Sequence, residues 1–137
     1  MSPAPSRDYF RRFLKVPFAS RGRDLRGWDC YGLYRYVLHD RFGIAIPSYA
    51  ETYIDTGDEA GISSAIKTYR HVGWDEVQDP REGDAIVLRI AGVPWHCGYV
   101  IEPGIMLHAK RGAGTCIERY TTPIWEKRLE GFYRCKS

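Results

Sequence analysis

The chain has 137 residues, enough for one domain with a buried core. With 44% hydrophobic and 27% charged residues it is globular in composition, which excludes a low-complexity or fibrous chain. The net charge of +3 is small, and no apolar run approaches the roughly 18 residues of a membrane-spanning helix.

That charge is unevenly placed. Residues 1–28 carry Arg7, Arg11, Arg12, Lys15, Arg21, Arg23 and Arg26 against only Asp8 and Asp24. Such a face suits an acidic polymer, an acidic partner subunit or plain solvent. No basic run is interleaved with aromatics as nucleic-acid readers require, so no specific nucleic-acid binding is expected. The opening stretch MSPAPSRDYFRRFLKVPF lacks an apolar segment of about 7–15 residues and does not read as a secretory signal, so synthesis in the cytoplasm is expected. Cys30, Cys97, Cys116 and Cys135 are widely spaced, with no Cys-x-x-Cys, and are expected as thiols. Only His96, Cys97, His108 and Cys116 come near a zinc-binding pattern, without its short paired spacing. No metal or other cofactor is expected.

In chain order, residues 1–10 read as an arm and RRFLKVPF opens the fold. FASRGRDLRGW, rich in Gly and Arg, reads as a loop. In DCYGLYRYVLHDRFG, the positions Cys30, Leu33, Tyr34, Val37, Leu38 and Phe42 follow the rhythm of an amphipathic helix. Asp29 is placed to cap it and Gly43 to stop it. IPSYAETYIDTGD connects to a second, weaker helix in EAGISSAIKTYRHVGW. The period then changes. Ala85, Ile86, Val87, Leu88 and Ile90 form a buried strand, VPWHCGYVIEPGIMLHAKRG two strands around a Pro103-Gly104 turn, TCIERYTTP another, and EGFYRCKS a short one. Helices first and an antiparallel meander after make a single α+β domain over 1–137, N-terminal helices packed on a C-terminal sheet.

Cys30, in the first turn of its helix, lies near unpaired N–H groups and the positive end of the dipole, which stabilise a thiolate. A nucleophilic thiol also needs a base with an orienting partner. His39 is about two and a half turns further along the helix, too far away, and reads as surface. His71 follows the second helix and reads as a loop or cap residue. His96 and His108 share the hairpin. A plain two-residue turn would put them on opposite faces, whereas a three-residue loop or an equivalent bulge pairs residue 98 with 108. His96, Gly98 and His108 then share a face, and His108 can orient His96 as an Asp or Asn does in other triads. Spacing alone leaves the bland reading open, since a strand histidine is often structural and a cysteine at a helix start is often core. Trp28 and Trp95 flank the Cys and His and are read either as cleft walls or as core. Cys97 is expected to point away from His96, into the core.

The order of motifs resembles the NlpC-type cysteine peptidases, papain-like peptidoglycan endopeptidases. The elements VPFASRGRDLRGWDCYGLYRYV, REGDAIVL, HCGYVIEPGIMLHA and GFYR stand in family order from residue 16 to 134. The resemblance implies a papain-like fold and a Cys-His-His triad: Cys30 as nucleophile, His96 as base and acid, His108 as the orienting member. It implies hydrolysis of an amide in peptidoglycan stem peptides, with Asp29, Tyr31 and Phe18 as candidate substrate contacts, to which the flanking Trp28 and Trp95 are added by position. Two positions depart from the family pattern. Tyr31 stands where the family has serine, and Phe18 where it has tyrosine. These departures, with GIAIPSY after the helix, resemble the compact peptidases of phage tail tips and gene transfer agents. That branch implies a virion tail component acting in the periplasm or cell wall, with residues 1–12 as the docking segment for tail-hub proteins. A tail protein that keeps the fold without activity is the alternative.

Overall fold

Helix α1 (Arg7–Arg11) and a 3₁₀ turn (Arg12–Lys15) open the domain. The computed structural model describes residues 7–49, 59–69, 72–90 and 93–136. Phe10 is completely buried, which starts the fold inside the segment 1–10 expected to be an arm, and Phe13 follows it into the core. Residues 1–6 of that segment, and His71, lie outside the described residues. The expected loop at 18–28 contains a short hairpin, β1 (Arg23–Asp24) and β2 (Gly27–Trp28). At two residues each, these strands are too brief to leave an alternating pattern in sequence.

Helix α2 spans Cys30–Phe42 as its signals predicted. The Asp29 side chain accepts the Gly32 N–H at 2.9 Å at one end. Gly43, at φ +71°, closes the other end in the left-handed region that favours glycine. Phe42, the last apolar position of the pattern, is exposed rather than buried. Helix α3 covers Glu59–Tyr69, and the chain then enters β3 (Trp74–Val77), a strand absent from the sequence reading. Its central Asp75 and Glu76 are exposed, so it lacks the apolar signature. Pairing with the last strand is what makes it extended.

The remaining elements are β4 (Ala85–Ile90), β5 (Val93–Glu102), β6 (Ile105–Lys110), β7 (Gly114–Arg119), the short helix α4 (Pro123–Glu126) and β8 (Leu129–Cys135). Six strands form one sheet in the order β3-β8-β4-β5-β6-β7. Every pairing in it is antiparallel. The architecture is α+β. Among the described residues no helix is long and apolar enough to cross a membrane.

Both faces of the sheet are covered. Leu33, Tyr34, Val37 and Leu38 of α2 pack on the face made by Ala85, Val87, Tyr99 and Leu107. The opposite face carries Ile86, Leu88, Val100, Met106 and Phe132 packed with Tyr120 and Trp125. Double coverage is why β4 reads as an unbroken apolar run instead of an alternation. Each fully buried large apolar side chain contributes roughly 1.5–3 kcal/mol, and such packing holds helices too short to stand alone in water.

One ion pair ties β8 to the turn before β4. Arg134 donates from Nε and Nη2 to the two carboxylate oxygens of Asp84, both at 2.8 Å, and that carboxylate also accepts the Arg81 N–H. The Asp84 side chain is only 2% exposed. Removing one partner of a buried pair leaves an uncompensated charge, at a cost of about 3–5 kcal/mol. Arg134→Met is therefore expected to lower unfolding free energy in urea by about 3 kcal/mol. A loss under about 0.5 kcal/mol would show that solvent already satisfies Asp84.

Candidate active site

The site starts from the carboxylate of Asp29. Besides capping α2, it accepts the Arg21 N–H at 3.2 Å and pairs with Arg23 Nη1 at 2.8 Å. Arg23 reaches on to Ser48, donating from Nε to its carbonyl at 3.0 Å. The loop before α2 and the segment after it are thus fastened to the same carboxylate. Cys30, the first residue of α2, is held there with its sulfur at the helix N-terminus.

The histidines come from β5 and β6. The turn has two residues, Pro103 and Gly104, and β5 carries a bulge between Val100 and Glu102. Pairing runs Tyr99 to Leu107 and Val100 to Met106, so the next step sets Gly98 opposite His108. The bulge thus supplies the register that spacing demanded. A Cβ at residue 98 would lie 3.2 Å from the Cβ of His108, which makes glycine the fitting residue there. His96 Nε2 lies 2.9 Å from His108 Nδ1, and His96 also hydrogen-bonds the Cys30 sulfur.

The array continues past the residues expected from sequence. His108 Nε2 lies 3.2 Å from Glu118 Oε1 on β7. Lys110 Nζ donates to the same oxygen at 3.1 Å, and Trp125 Nε1 donates to Glu118 Oε2 at 2.8 Å. The indole of Trp125 stacks on His96 and stands edge-on to His108.

Electrostatics follow from these contacts. A hydrogen bond from the Cys97 thiol, opposed by burial and assisted by His96, holds the Cys30 thiol well below its ordinary range. Cys97 is pushed well above its own range, by the same bond to Cys30 and by burial. Burial, then the neighbouring His96, lowers His108 to about 4. Burial alone would raise Glu118, but its bonds from Trp125 and Lys110, with the His108 contact, outweigh that and leave it lowered. The arrangement favours one anionic sulfur beside an imidazole. Such a pair can attack a carbonyl carbon and return a proton.

A profile of the NlpC/P60 family matches residues 15–134. The chain belongs to the NlpC/P60 family. It is 22% identical over 121 residues to the murein DD-endopeptidase MepS/murein LD-carboxypeptidase of Escherichia coli K12, covering 88% of this chain and 56% of that relative. The chain therefore spans little more than half the length of that curated relative. Among solved structures, an NlpC/P60 family protein of Bacillus cereus ATCC 10987 aligns over 98% of this chain and 42% of its own, with TM-score 0.65 and 22% identity. The NlpC/p60 domain of the peptidoglycan hydrolase SagA aligns over 90% of both chains, with TM-score 0.59 and 18% identity. A Staphylococcus aureus Mu50 protein described as similar to a lipoprotein of the NLP/P60 family covers 96% of this chain and 40% of its own, at TM-score 0.63 and 19% identity. At these identities the structures bear on the fold.

Within this NlpC/P60 domain the expected site residues divide. Cys30, His96 and His108 meet. Asp29 and Trp28, at 1% and 0% exposure, offer no surface to a substrate. Asp29 is a cap, and the Trp28 indole donates to Thr115 Oγ1 at 2.9 Å while packing on Phe13 and Tyr36. Tyr31 is half-buried, its hydroxyl donating to the Pro47 carbonyl at 2.7 Å, and Phe18 is half-buried beside Trp28. The Trp95 side chain lies outside the described residues. Cys97 is buried in the core, on the side of β5 away from His96, and there its thiol hydrogen-bonds the Cys30 sulfur. Cys116 sits opposite His108 across β6 and β7 with its sulfur toward the Gly114 carbonyl. Among the described residues, no three His, Cys, Asp or Glu side chains converge as a metal would require.

The lowered His108 makes stability pH-dependent. Its folded pKa of about 4 lies below the ordinary 6.5, so the unfolded chain binds the extra proton first. Its contribution is complete above about pH 6.5 and declines as pH falls towards 4. Between pH 7 and pH 5 the protein is expected to lose about 2 kcal/mol more than His108→Gln, read from urea unfolding. Equal losses would mean that His108 is not held neutral by its burial.

Proposed function

We propose that this chain is a cysteine peptidase that hydrolyses an amide bond in the stem peptides of peptidoglycan. One observation carries the reading: the lowered Cys30 thiol at a helix N-terminus is hydrogen-bonded to His96, which is bonded in turn to His108. The names of the relatives, a murein endopeptidase and a peptidoglycan hydrolase, supply the substrate class.

In this reading the Cys30 thiolate attacks the amide carbon, and N–H groups at the start of α2 stabilise the oxyanion. His96 gives its proton to the leaving amine, which departs and leaves an acyl thioester. His96 then takes a proton from water, whose oxygen attacks the thioester and releases Cys30. His108 holds the His96 ring in place throughout. Purified protein is expected to cleave stem peptides at one amide, seen as a pair of product masses, whereas Cys30→Ala leaves them intact. Cleavage by neither, with Cys30 alkylated no faster than a free cysteine, would sink the enzymatic reading and favour a structural protein that keeps the fold. Phe18, which lacks a hydroxyl, and Tyr31, whose hydroxyl is engaged by Pro47, are what support that second reading.

We place the enzyme on a phage-like tail tip, where it would open the wall locally during DNA delivery. The support is the motif order around VPF, GWDCYGL and GIAIPSY, together with the basic segment whose Arg11 and Arg12 are exposed. Mass spectrometry of tail particles purified from the source cells is expected to find the chain. Particles without it would remove this setting and leave the hydrolase reading standing.

A further inference from the structure

Two facing imidazoles do not by themselves decide which way their hydrogen bond runs. His96 Nε2 can donate to His108 Nδ1, or the reverse, and only the first arrangement leaves His96 able to take a proton from Cys30. Nothing within Cys30, His96 and His108 selects between them. We propose that Glu118 is a positioning residue that sets the direction of the whole chain, a role that rests on the catalytic reading of those three residues.

The argument runs inward from the carboxylate. An ionised carboxylate only accepts hydrogen bonds, so His108 Nε2, 3.2 Å from Glu118 Oε1, carries a hydrogen. His108 has no exposed surface, and a neutral ring with its hydrogen on Nε2 presents a lone pair at Nδ1. His96 Nε2, 2.9 Å away, must then donate. The other nitrogen of His96, Nδ1, is left to exchange a proton with the Cys30 sulfur. In the opposite polarity the neutral His96 would carry its hydrogen on Nδ1 and could not accept the thiol proton.

Glu118 is built to keep this orientation. Trp125 Nε1 holds Oε2 at 2.8 Å and Lys110 Nζ holds Oε1 at 3.1 Å, so the carboxylate is gripped at both oxygens. The gripping indole is itself packed on both rings, with centroids 6.1 Å from His96 and 5.2 Å from His108. One tryptophan thus fixes the acceptor and both imidazoles. The β6–β7 register makes this possible: Glu118 lies opposite Met106, one step diagonally from His108 on the same face.

Imidazole ¹⁵N shifts of His108, and the pH profile of Cys30 alkylation by iodoacetamide, test this in the full chain without a substrate. The wild type is expected to show His108 protonated on Nε2 alone. Glu118→Ala should redistribute that hydrogen between Nε2 and Nδ1 and slow alkylation at pH 6 roughly tenfold. Glu118→Gln, which keeps an acceptor but can satisfy only one of His108 and Trp125, should fall between. A folded Glu118→Ala with unchanged His108 shifts and a superimposable alkylation profile would overturn the proposal. So would a Glu118→Gln that matches the wild type in both readouts. Slow alkylation in the wild type itself would be a different failure, that of the catalytic reading on which this one stands.

Discussion

A single buried carboxylate sets where the chemistry stands. Removing an aspartate from water costs several kcal/mol unless strong bonds replace its hydration. Asp29 has those replacements in the Gly32 and Arg21 N–H groups and the Arg23 guanidinium. Because the bonds come from the helix and the loop before it, while Arg23 extends the grip to Ser48, the carboxylate is satisfied only when these pieces are together. Cys30 follows in sequence and has little freedom left. A residue that resemblance offered as a substrate contact is thus the anchor of the Cys30 sulfur.

Against that fixed sulfur the sheet must deliver two imidazoles on the correct face. Side chains alternate along a strand, so a slip of one residue between β5 and β6 would turn His108 to the other side. The bulge near Ile101 prevents the slip by absorbing the odd residue that a tight Pro103-Gly104 turn leaves over. A second irregularity, where Leu88 meets His96 but Arg89 meets Pro94, leaves Trp95 out of the pairing immediately before His96. Strand irregularities bracket the stretch of β5 that carries His96 at both ends.

What the sequence made legible was local. Helix α2 carried its own cap, stop and apolar period, and counting across one turn left two registers for the histidines, of which a bulge realises the one that puts them on one face. Partners set by more distant pairing were hidden. Glu118 and Trp125 join the site through the β6–β7 register and a four-residue helix, neither of which has a periodic signature. Counting across the Arg111–Ala113 turn puts Glu118 on the face of His108. Cys97 was placed by alternation alone, which gave its side of the strand but not that Cys30 would be waiting there. Two weak motif fragments, the Gly-Asp before β4 and the Tyr-Arg near the end of β8, turn out to be one ion pair, Asp84 with Arg134. The role of the pair in this chain is architectural.

The Cys97 thiol has a consequence for the second half of the proposed reaction. A sulfur that ionises easily also departs easily, because the leaving ability of a thiolate rises as the pKa of its thiol falls. The hydrogen bond that helps Cys30 become an anion would be lost on acylation of the sulfur and regained when the acyl group leaves. In the proposed reaction Cys97 would therefore assist turnover as well as attack, by making the thioester the less comfortable state of the site and favouring return to the free thiolate.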